Sequence, residues 1–251
     1  YNIEGKVALI AGGTGGIGSA ISEGLAAHGA TVVICGRDGA KAEALAAQIE
    51  AVGGRAWGAS LDILDFEAVR SFADQVVERF GALDVLINAA GTHVDTPAER
   101  YAEADWDRVL DLNLKAAFFL SQAVAQVQIP RGGGKHIHIS SVRSQLGIHR
   151  GYVAYCSSRG GMNMMIKQLA TEWAKHGITV NGIAPTFTRT ELVKEYLEDP
   201  SFYNPLVARI PLGRICEPID LAAMAIYLSA PASDFITGQI IFADGGVTAT
   251  Q

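Results

Sequence analysis

The stretch "KVALIAGGTGGIGSAISEGL", residues 6–25, decides the fold. Five apolar residues follow Lys6, a run of the length and type of a strand buried on both faces. From Ile17 the small and apolar positions Ile17, Ala20, Ile21, Gly24 and Leu25 recur at helical spacing, and Gly29 supplies a stop. Between strand and helix, "AGGTGGIG" (11–18) satisfies G-x-G-x-x-G through Gly13, Gly15 and Gly18. It also satisfies G-x-x-x-G-x-G through Gly12, Gly16 and Gly18. Glycines there allow a tight turn and let a pyrophosphate approach backbone N–H groups at the positive end of the helix. At the first strand-to-helix turn, the pattern predicts a dinucleotide site.

The same alternation continues outward. Strands are expected at 31–35, 83–88, 135–140, 178–184 and 239–243, with helices from Asp38 to about Val52 and around 65–80, 105–128, 153–176 and 218–229. This rhythm predicts an α/β chain: one Rossmann-type domain over 1–251, a doubly wound parallel sheet of about seven strands with helices on both faces. The rhythm breaks near 186–215, where prolines and aromatics mark an insertion of the kind that covers a ligand.

Composition narrows the function. A 251-residue chain that is 49% apolar can bury a large core, and a formal charge of −6 excludes generic nucleic-acid or anionic-membrane binding. The three cysteines have neither disulfide nor metal-ligand spacing, which fits a reducing cytosol, and no metal site is expected. No apolar run reaches the roughly 20 residues of a membrane span. The chain enters a strand at once, so no leader is expected.

Which dinucleotide binds depends on the end of the second strand, "CGRD" (35–38). Gly36 stands where an acid would hold a ribose diol, and Arg37 follows it. A guanidinium there can pair with a 2′-phosphate, which predicts NADP(H), with NAD(H) possible. Asp38 is a ribose acceptor or, more simply, the cap of the next helix.

Read together, the glycine loop, "INAAG" (87–91), "DLNLKAAFF" (111–119), "HISSVRS" (138–144), "YCSSR" (155–159) and "ITGQIIFADGG" (236–246) resemble the short-chain dehydrogenase/reductase family over nearly the whole chain. Within the family the chain looks most similar to gluconate 5-dehydrogenase-type and 3-oxoacyl-carrier-protein reductase-type members. The resemblance implies an NADP(H)-preferring oxidoreductase that interconverts a ketone and a secondary alcohol, and a cytoplasmic homotetramer.

Carried over by motif, Tyr155 is the general acid or base and Ser141 binds the substrate oxygen, with Ser144 as a rival. Asn113 supports a water near the site, and Arg159 takes the place of the lysine that binds the nicotinamide ribose. The resemblance also assigns Gly12, Gly16, Ile17 and Gly18 to the pyrophosphate, Asp62 to the adenine, Asn88 and Gly91 to the adenosine side, and Pro185 and Thr190 to the nicotinamide. Three residues depart from the family pattern: Ala11, Thr186 and Arg159. Only Arg159 touches the chemistry. Arginine keeps the charge that favours a phenolate, but it gives up no proton in a protein. Two readings follow: a working enzyme on a small polar or anionic substrate, suggested by Arg143, Gln145, His149 and Arg150, or a catalytically silent nucleotide-binding sensor.

Overall fold

The structure, a computed structural model, describes residues 2–250. Seven strands form one parallel sheet: β1 (Val7–Ala11), β2 (Thr31–Gly36), β3 (Arg55–Ser60), β4 (Val85–Asn88), β5 (Gly134–Ile139), β6 (Ile178–Pro185) and β7 (Ile240–Ala243). Their order is β3-β2-β1-β4-β5-β6-β7. After β3 the chain returns to the other side of β1, so the sheet has its switch point between β1 and β4. Ligands of such sheets bind at the carboxyl ends beside that point.

Alternate residues of the central strands feed two cores. Leu9, Val33 and Leu86 pack with helices α3 (Phe66–Phe80) and α5 (Ala116–Gln128) on one face. Ile10, Ile34 and Ile87 pack with α1 (Gly16–Ala27), α2 (Gly39–Ala51) and α9 (Pro218–Ser229) on the other. Because both faces are covered, β1 and β4 are buried at every position. The long helix α6 (Val153–Trp173) packs Met162 and Ile166 with Val180 of β6.

The register is continuous. Ala11 pairs with Cys35 and Asn88, so β1, β2 and β4 end level with one another. Two glycines shape the turn that follows. Gly12 has φ +73°, and a Cβ there would stand 2.7 Å from the Ala90 nitrogen. A Cβ on Gly18 would run into the Gly12 carbonyl.

Three features were not in the sequence reading. Strand β3, "RAWGAS", lacks an apolar run because it is an edge strand with exposed ends. The helical pattern at 105–128 divides into α4 (Glu103–Leu110) and α5, joined by a π-helical turn at Asp111–Lys115. In the 186–215 segment the short α7 (Lys194–Glu198) falls within the helical pattern that the sequence shows near 190–198, whereas α8 (Pro200–Ala208), which starts from an Asp199 cap despite containing Pro205, was not expected.

Candidate active site

At the carboxyl edge a cavity of about 210 Å³ brings together Ile17, Gly91, Ser141, Tyr155, Arg159, Pro185 and Thr190. These seven come from the ends of four strands, β1, β4, β5 and β6, and from α6. The other predicted nucleotide-binding residues lie at the carboxyl ends of neighbouring strands and outside the cavity's lining. Gly12 lies in the loop after β1, Gly16 and Gly18 in the first turn of α1, Asn88 ends β4, and Arg37 and Asp62 follow β2 and β3. The Thr190 methyl covers Gly16, where a Cβ would stand 2.7 Å from it.

The two candidate serines are differently engaged. Ser141 caps a single 3-10 turn, its Oγ accepting from the Arg143 N–H at 3.1 Å. Its own hydroxyl has no acceptor among the described residues and can donate into the cavity. The Ser144 hydroxyl instead donates to the Ser141 carbonyl at 2.5 Å, and Ser144 is not among the cavity's lining residues.

Asn113 is fully buried in the π-turn. Its Oδ1 accepts from Thr92 N–H at 2.8 Å, while Nδ2 donates to the Thr92 carbonyl at 2.9 Å and to Ser158 Oγ at 3.0 Å. Ser158 in turn donates to the Tyr155 carbonyl at 2.8 Å. Asn113 thus ties the loop after β4 to the turn of α6 that carries Tyr155. π-turns of this kind recur at functional sites.

Arg159 is buried, at 5% exposure. One terminal nitrogen donates to the Ile139 carbonyl at 3.0 Å, and the Cζ lies 5.1 Å from the centre of the Tyr155 ring. The other terminal nitrogen occupies the space a Cβ on Gly91 would fill. Nε is buried without a hydrogen-bond partner among the described residues. The guanidinium therefore bridges the ends of β4 and β5 beside Tyr155, in room that only a glycine at 91 leaves.

Asp38 resolves as a helix cap: its Oδ1 accepts from Lys41 N–H at 3.1 Å at the start of α2. Arg37, beside it, is exposed and has no carboxylate partner among the described residues. Asp62 accepts from Leu64 N–H at 3.0 Å, and Asn88 Oδ1 accepts from Ala90 N–H at 3.2 Å.

His93 and Tyr152 are among the lining residues that the sequence did not point to. His93 lies on the loop after β4, its ring 6.2 Å from that of Tyr155 and 5.1 Å from that of Tyr152. Burial pushes its pKa down, against the pull of Asp95. Tyr152 is pushed up by its own burial. Neither belongs to a recognisable motif, and only the folding of the loop onto α6 places them.

A family profile described as enoyl-(acyl carrier protein) reductase matches residues 11–248. Gluconate 5-dehydrogenase of Gluconobacter oxydans is 37% identical, covering 99% of this chain and 96% of the relative. The chain belongs to the short-chain dehydrogenase/reductase family. D-threitol dehydrogenase of Mycolicibacterium smegmatis is also 37% identical, covering 99% of this chain and 95% of that one. A crystal structure of a gluconate 5-dehydrogenase from Burkholderia cenocepacia, in complex with NADP and tartrate, superposes with a TM-score of 0.96. It is 37% identical, with 100% of this chain and 98% of that one covered. As a member of this family the chain is an NAD(P)-dependent oxidoreductase interconverting a ketone and an alcohol.

The residues present fit a nicotinamide dinucleotide. Where α2 and α3 are capped by Asp38 and Asp65, α1 begins at Gly15 with no side-chain cap. Its positive end is thus open to a phosphate, with no side chain in the way. No helix among the described residues is long and apolar enough to cross a membrane.

Proposed function

We propose an NADP(H)-preferring dehydrogenase/reductase acting on an open-chain sugar acid or keto acid, as the gluconate 5-dehydrogenases it resembles are named for doing. The observation that carries this reading is the meeting of Ser141, Tyr155 and Arg159 in one cavity under Ile17 and Thr190. When bound, the nicotinamide supplies or accepts the hydride. Gly12, Gly16, Ile17 and Gly18 would hold its pyrophosphate on α1, and Arg37 its 2′-phosphate. Asp62, Asn88 and Gly91 would line the adenosine side, and Pro185 and Thr190 the nicotinamide side. Ser141 donates its free hydroxyl proton to the substrate oxygen. Tyr155 delivers the proton in reduction and takes it in oxidation. Arg159 supplies a fixed positive charge beside the Tyr155 ring, and Asn113 keeps the turn bearing Tyr155 in place.

The relatives do not favour the silent-sensor reading. The open hydroxyl of Ser141 also speaks for turnover. A homotetramer is part of the proposal, supported by the exposed Trp106 and Met164 on α4 and α6. So is a cytosolic setting, supported by three free cysteines.

Two measurements test the reading. NADPH-linked reduction of 5-keto-D-gluconate should fall by about 10²- to 10⁴-fold in Tyr155→Phe, with cofactor binding kept. Unchanged turnover would remove Tyr155 from the chemistry. Arg37→Ala should weaken NADPH by about tenfold, one charged contact's worth, and leave NADH nearly as before. An equal effect on both would refute the 2′-phosphate role.

A further inference from the structure

A larger cavity adjoins the one that holds Tyr155. It is a space of about 990 Å³ between the 143–150 turn and α8, and the two share Arg143, Thr186 and Phe187 as walls. Its lining includes three arginines and no carboxylate. Arg150 is neutralised, because its Nε donates to Asp95 Oδ2 at 2.8 Å and a terminal nitrogen closes the same pair. Arg143 and Arg209 are not. One terminal nitrogen of Arg143 donates to the Gly147 carbonyl at 2.8 Å and reaches the Leu146 carbonyl at 3.5 Å, and the rest of its fork has no acceptor among the described residues. The Arg209 guanidinium, at the end of α8, has no ion-pair partner among the described residues. Burial lowers the Arg143 pKa, and the positive charge of Arg209 lowers it further.

Two like charges facing one cavity from different walls repel unless a counter-ion joins them. None of the described residues lining the cavity supplies one, so the counter-charge belongs to a ligand. A planar fork with free N–H donors suits a carboxylate, which can accept from both guanidiniums at once. The position matters as much as the charge. Arg143 lies two residues after Ser141 and donates its own N–H to that serine. A substrate whose carbonyl meets Ser141 and Tyr155 therefore extends past Arg143 into the larger cavity.

We propose that Arg143 and Arg209 form a two-guanidinium clamp for a substrate carboxylate lying at the end remote from the reacting carbon. The clamp selects open-chain hydroxy or keto acids over neutral ketoses and polyols. It rests on reading the smaller cavity as the catalytic one.

The test compares 5-keto-D-gluconate with a neutral ketose, L-erythrulose, on the full chain with saturating NADPH, and with NADH in parallel. In Arg209→Ala the ratio of kcat/KM for the acid to that for the neutral ketone should fall about 10- to 100-fold, mainly through KM. Arg209→Lys should recover part of it. A ratio that stays constant, or a wild type that prefers the neutral ketone, overturns the clamp while leaving the oxidoreductase reading intact. Calorimetric titration of D-gluconate onto the NADP complex separates the two failures. If wild type turns over neither ketone, the functional reading fails. Gluconate binding that is lost in Arg209→Ala then still supports the clamp, whereas binding equal in both proteins, or absent from wild type, overturns it.

Discussion

Strands β1 and β5 flank β4 on either side and each delivers a loop to the site, yet they are built differently. β1 is apolar throughout and ends in glycines. β5 carries two fully buried histidines and ends in Ser140 and Ser141. His138 Nε2 pairs with Ser121 Oγ at 3.2 Å and His136 Nε2 with Gln128 Oε1 at 2.9 Å. Ser140 donates to Asn163 Oδ1 at 2.7 Å. The nucleotide side of the site thus rests on backbone shape, which tolerates pH but no added atom. The catalytic side rests on buried side-chain pairs, which are specific and sensitive to acid.

The largest expected effect separates the two through protons. Burial pushes His136 down to about 3, the charge of His138 adding to it, and burial with Arg159 nearby pushes His138 down to about 4. Unfolded histidine titrates near 6.5, so below that pH the unfolded chain binds protons that the folded chain refuses. Stability is therefore full above about 6.5 and is lost as pH falls toward 4, by about 1.4 kcal/mol per pH unit for each histidine. Urea unfolding at pH 6.5 and 4.5 should show a loss of about 5 kcal/mol from the pair. His138→Gln should roughly halve that slope, and a slope the same as wild type would break the contrast.

On the nucleotide side, Gly18→Ala places a Cβ against the Gly12 carbonyl. Overpacking there should cost about 1–3 kcal/mol and weaken NADPH by about tenfold, in thermal melts and fluorescence titration. A variant that melts and binds like wild type would mean that the loop has spare room. The smallest effect sharpens the comparison. Asp38→Ala removes a helix cap worth about 1 kcal/mol and should leave NADH affinity unchanged. A marked loss of NADH binding would instead make Asp38 a ribose ligand.

Six strands and the main helices were legible because their signal is local. A buried parallel strand needs an apolar run, and an amphipathic helix needs its period. β3 escaped because an edge strand needs neither. α8 escaped because Pro205 reads as a breaker, while its Asp199 cap and Pro200 at the first turn favour a start. Of the candidate site, the motif residues could be named in advance. His93 and Arg209 could not, since their partners lie far along the chain.

By itself the sequence determined the sheet's strands, the glycine turn and the presence of a tyrosine and a cation one helical turn apart. These depend on spacing, and spacing is written in the chain. Only the tertiary structure decided where the Arg159 guanidinium goes, because that depends on Gly91 of a different strand end leaving it room. The same holds for the free hydroxyl of Ser141 and for the unpaired charges of Arg143 and Arg209. Each is set by which neighbours the fold brings near, and no local pattern carries that.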